Sequence, residues 1–85
     1  MRWAQPMADD PLRTRRLQAL GRAIRSRRET LGISQRGLAE QVGTSQNAIY
    51  EWEAGLVAPG ADKLWLLADA FEMTPSELLS IAEQV

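Results

Sequence analysis

The sequence predicts an all-α fold, a compact domain of five short helices. Three observations carry that reading. Apolar residues recur at spacings of three and four, the period that lines one face of a helix. Gly or Pro punctuates the boundaries between these stretches, and Ser or Thr stands before several of them, where a helix needs a side-chain cap. No run alternates apolar and polar residues long enough to make a strand. A chain of 85 residues, 45% hydrophobic and 25% charged, suffices for one modest core. Folding at that size removes about 60% of the extended chain's surface from water.

Residues 1–11 gather Pro6, Asp9, Asp10 and Pro11 around Trp3 and read as a flexible arm, with Trp3 either free or docked on this chain or a neighbour. The folded domain is expected over 12–85. From about Leu12 the stripe Leu17, Leu20, Ile24, the stem of Arg28 and Leu31 describes a long amphipathic helix that Gly32 stops. Ser34 caps the second helix, whose inner positions are Leu38, Ala39 and Val42, and Gly43 ends it. Thr44 and Ser45 alone precede the third helix, which starts at Gln46, buries Ala48, Ile49 and Trp52, and is expected to stop at Gly55. After the boundary at Pro59 and Gly60, residues 61–72 place Leu64, Leu67, Ala68 and Phe71 inside, with Trp65 and Ala70 widening the stripe. Thr74-Pro75-Ser76-Glu77 has the cap, the first-turn Pro and the third-position Glu of a capping box. The last helix then offers Leu78, Leu79, Ala82 and Val85 to the core.

Two short helices joined by a three- or four-residue turn containing Gly fit a helix-turn-helix. Left-handed backbone at Gly43 lets the chain reverse without Cβ strain, and Ala39 is small enough for a close crossing. Other chemistry is closed off. With neither Cys nor His, the chain has no disulfide, no thiolate or imidazole metal site and no Cys/His nucleophile. Its carboxylates form no recognisable catalytic spacing, so neither an enzyme nor a cofactor is expected. No apolar run approaches the ~20 residues that span a bilayer, and no signal-peptide stretch is present, so a cytoplasmic protein without a membrane partner is expected. The net charge of −1 hides an asymmetry: residues 1–36 carry nine Arg against three acids, and residues 37–85 one Lys against eight. A basic first half can present positive potential to phosphates despite the balanced total.

The stretch from Gly32 to Gly55 resembles the helix-turn-helix of phage-repressor-like regulators, the lambda/434 repressor and Cro-like (XRE) family. Gln35, Leu38-Ala39, Gly43, Ser45, Ile49, Glu53, Gly55 and Pro59 carry the resemblance, followed by Leu64, Leu67-Ala68 and Ser76-Glu77-Leu78-Leu79. It extends over roughly 17–80. It implies a five-helix repressor-like domain whose second helix crosses the DNA backbone and whose third enters the major groove. A symmetric dimer on half-sites ~34 Å apart is the usual arrangement of such motifs.

On that resemblance, Gln46 and Asn47 face base edges, where a carboxamide matches adenine N7 and N6. Tyr50, one turn on, meets a thymine methyl or a phosphate, or is partly buried. Glu51 either accepts from cytosine N4 or stays solvated. Gln35 and Ser45, at the starts of the two helices, are expected at phosphates, with Arg27, Arg28 and Arg36 adding charge. The resemblance also implies an Arg28–Glu53 pair linking the first helix to the third, while Trp52, Ile49, Ala39 and Gly43 support the motif. Leu56, Val57 and Ala58 depart from the family, which commonly has Lys, Arg or Asn there. The expected function is sequence-specific binding of double-stranded DNA by a transcription regulator, a repressor acting as a homodimer at a short palindromic operator. The alternatives are an antitoxin that binds both operator and toxin, and a protein-interaction module that has lost DNA binding.

Overall fold

A computed structural model describes residues 10–84. Expectations for the arm around Trp3 and for Val85 lie outside the described residues. Within them the chain is helical: α1 (Pro11–Thr30), α2 (Gln35–Val42), α3 (Gln46–Glu53), α4 (Ala61–Ala70) and α5 (Pro75–Glu83). The helix starts follow from their caps. Asp10 accepts from the Leu12 amide, and Pro11 fills the first turn, so α1 begins one residue before the apolar stripe suggests. Ser34 Oγ accepts from Gly37 N at 2.9 Å, and Ser45 Oγ from Ala48 N at 3.0 Å. At α5, Thr74 Oγ1 accepts from Glu77 N while Glu77 Oε1 accepts from Thr74 N, which completes the capping box.

Packing follows one apolar face per helix. Ala23 and Ile24 of α1, Leu38, Ala39 and Val42 of α2, and Ile49 and Trp52 of α3 meet Leu67, Ala68, Phe71, Leu78 and Ala82 in one core. α1 lies against both α3 and α5, and α4 rests on α2 and α5. The approach of α1 to α3 is close at Gly21, where a built Cβ would stand 2.5 Å from the carbonyl oxygens of Trp52 and Glu53. Only hydrogen fits there.

Three side chains assigned to the core stand outside it. Trp65 is 62% exposed, while Leu79 and Leu31 are also classed as exposed. At about 100° per residue, Trp65 sits at the rim of the stripe set by Leu64, Leu67, Ala68 and Phe71, and no neighbouring helix covers that rim. Leu79 follows the buried Leu78 by one position and is carried off the inner face, leaving Leu78 and Ala82 to fill it. Leu31 caps the end of α1 in the turn rather than continuing the stripe.

Candidate nucleic-acid interface

The turn between α2 and α3 is fixed from both sides. Gly43 takes φ 75° and ψ 44°, and its amide and that of Thr44 both donate to Ala39 O at 2.9 Å. Lys63 of α4 donates to Gly43 O at 3.2 Å, placing a positive charge at the carbonyl end of α2. The sequence reading missed this tie; its signal was Lys63's being the sole cation beyond residue 36.

The register of α3 decides which side chains face out. Ile49 and Trp52 are buried, so Gln46, Asn47 and Tyr50 are exposed, Tyr50 at 54%. Glu51 is half-buried. Gln46, Asn47 and Tyr50 together with Gln35 of α2 line a shallow cleft of about 360 Å³. Carboxamides on its walls can both donate and accept, which suits a partner with mixed polar edges.

Behind the cleft lies a two-pronged ion pair. Arg28 Nε donates to Glu53 Oε2 at 2.6 Å and Nη2 to Oε1 at 3.0 Å, while Nη1 donates to Ile33 O at 2.9 Å. The side chains are only 12% and 4% exposed. The hydrogen bond from Glu53 raises the Arg28 pKa, burial opposes it, and the charges of Glu53 and Glu29 add to the rise. Gln35 Nε2 also donates to Glu53 Oε1, at 3.0 Å. That bond joins α2 to a pair that otherwise links α1 and α3, and sequence gave no pattern for it because its partners lie 18 positions apart.

The residues expected at phosphates are placed unevenly. Ser45 has its hydroxyl engaged as the α3 cap. Arg36 is fully in solvent, 3.7 Å from Glu40 one turn on. Arg27 is half-buried, and its Nε is buried without a partner among the described residues. A larger apolar groove, about 470 Å³, runs between α1 and α5 along Leu17, Leu20 and Leu79, edged by Arg15, Arg16 and Glu83. It shares no residue with the cleft.

The helix-turn-helix family pattern matches residues 24–78, which span α2, α3 and the helices packed on them. The chain belongs to this family. It is 39% identical over 62 residues to repressor protein C2 of Salmonella phage P22, covering 73% of this chain and 29% of that protein. It is also 37% identical over 57 residues to the uncharacterized helix-turn-helix transcriptional regulator y4aM of Sinorhizobium fredii, covering 67% of this chain and 40% of the relative. The chain therefore spans well under half the length of either curated relative.

Among solved structures, the clp gene regulator ClgR of Corynebacterium glutamicum superposes with a TM-score of 0.76 at 30% identity, over 84% of this chain and 73% of that one. The P22 c2 repressor in complex with a synthetic operator gives 0.67 at 37% identity, over 69% and 89%. These relatives bear out the phage-repressor resemblance and the five-helix fold read from the sequence.

Proposed function

We propose that this chain is a sequence-specific reader of double-stranded DNA and acts as a transcription regulator, repressing as a homodimer at a short palindromic operator. The observation that carries the proposal is the exposed carboxamide face of α3, set beside Gln35 and backed by the buried Arg28–Glu53 pair. Rigid support matters because base-edge hydrogen bonds demand a fixed donor geometry. The family match and the operator complex of the P22 relative support the same surface.

In this reading Gln46 and Asn47 contact base edges. Tyr50 adds its ring or hydroxyl, and Glu51 accepts from a cytosine amine where the sequence supplies one. Phosphates are met by the first-turn backbone amides of α2 at Gln35 and Arg36 and of α3 beside Ser45. Arg36 and Arg27 contribute charge, and Arg28 adds to it from behind the motif. The protein works in the cytoplasm, where the DNA is; no described helix is long and apolar enough to cross a membrane.

A second reading has its own observation. Leu56 and Val57, in the loop after α3, are exposed apolar side chains with no cation between them and Pro59. That loop suits a protein partner, a toxin or another regulator, held alongside DNA or instead of it.

Titration of a randomised duplex library at fixed salt tests the first reading. Gln46→Ala and Asn47→Ala should each relax preference at particular base pairs while leaving weak general binding. A uniform loss across all sequences would remove both residues from base reading. A chain that binds no duplex but captures a partner through Leu56 would leave the second reading standing.

A further inference from the structure

We propose that Gln35 is a positioning residue for base recognition: its amide, locked by the buried Arg28–Glu53 pair, turns its carbonyl oxygen into the cleft and orients Gln46. The inference rests on the reading of Gln46 as a base contact. A free glutamine presents either end of its amide, because oxygen and nitrogen have nearly the same shape. Here the choice is made by Glu53. Its carboxylate, gripped by two guanidinium N–H groups, can only accept. Gln35 must therefore turn Nε2 toward it, at 3.0 Å, since the flipped amide would set two oxygens against each other at that distance.

The consequence appears on the far side of the amide. Gln35 is half-buried and lines the same cleft as Gln46, Asn47 and Tyr50. Its carbonyl oxygen is then an acceptor at that wall, and a phosphate oxygen offers it nothing. The matching partner is an N–H, and the Gln46 amide shares the cleft. When Gln46 Nε2 gives one hydrogen to Gln35, it keeps one N–H and its own carbonyl. Those are the two groups that the N7 and N6 edge of adenine takes up. The ion pair thus acts on the base through two amides in series, setting the polarity of each.

A double-mutant cycle on the intact chain separates this role from phosphate contact. Wild type, Gln35→Met, Gln46→Ala and the double variant are titrated with the randomised duplex library, with melting curves to establish folding. Gln35→Met should fold and lose discrimination by about ten-fold at the base pair that Gln46→Ala also relaxes. The double variant should then discriminate no worse there than Gln46→Ala alone. Uniform weakening across all sequences with a shallower salt dependence would make the Gln35 side chain a phosphate contact and overturn the proposal. So would additive losses at separate base pairs. If Gln46→Ala itself shifts no preference, the base-reading assignment has failed, and that result is read without reference to Gln35. Should the methionine variant not fold, Gln35→Ala closes the same cycle.

Discussion

Arg28 spends its hydrogen bonds inside the protein, on Glu53 and on the Ile33 carbonyl, so its deletion acts first on folding. Breaking such a pair leaves a carboxylate 4% exposed with only Gln35 to satisfy it. Removing one partner of a buried pair costs about 3–5 kcal/mol, more than the pair's net worth, because the orphaned charge bears the desolvation. Arg28→Ala should therefore lower the melting temperature by more than ~10 °C in a domain this small. A variant that melts with the wild type would show Arg28 and Glu53 to be independent surface charges. Glu53→Ala leaves Arg28 able to rotate toward solvent, and should cost less. The comparison of the two tells which charge is trapped.

Between helices, the geometry that positions α3 depends on an absent side chain. Gly21→Ala improves helix propensity by about 1 kcal/mol, yet its Cβ meets backbone oxygens at 2.5 Å, which cannot swing away as a side chain would. Overpacking of that kind costs about 1–3 kcal/mol, so a net loss of stability is expected. The displaced end of α3 should also weaken DNA binding. Urea denaturation reads the first effect, and a stability gain would mean that α1 and α3 separate freely. Such a contact is invisible in sequence, where Gly21 looks like a flaw in a helix.

The caps were legible because they are local: Ser34, Ser45, Thr74 and Gly43 announce themselves within four residues of what they bond. The Arg28–Glu53 pair came from family resemblance rather than from spacing. Trp65 could not be placed, since periodicity fixes a side chain's angle on its helix and not whether another helix stands there. At α5, hydrogen bonds from the backbone and hydroxyl of Thr74 hold the Glu77 carboxyl below its ordinary pKa. A lowered folded value means stability present above the ordinary carboxylate range and lost as pH falls through the depressed one. Thermal melts from pH 6 to pH 2 should show this acid-side loss in wild type and a flatter profile in Glu77→Gln. Equal profiles would place the capping box outside the stability of the fold.

For the whole molecule, charge distribution sets how DNA binding responds to salt. Seven arginines lie on α1, but Arg28 is paired internally, and the turn's own cation, Lys63, is tied to Gly43 O. The side bearing the cleft is left with Arg36, in part offset by Glu40, and the half-buried Arg27. Backbone amides at the starts of α2 and α3 add attraction without releasing counterions as a neutralising side chain does. Two cations per protomer, four in a dimer, at about 0.9 released ion each, give a slope of log K against log salt near −4. Measuring that slope on a fixed operator checks the docking geometry directly. A slope of −8 or steeper would require the remaining α1 arginines to reach phosphate, and so a different face of the molecule toward DNA. A slope near zero would leave the phosphate clamp without cations, and would favour the protein partner that Leu56 and Val57 suit. With the intermediate value, the acidic second half works by subtraction, keeping general attraction to DNA weak so that carboxamide contacts decide where the protein rests.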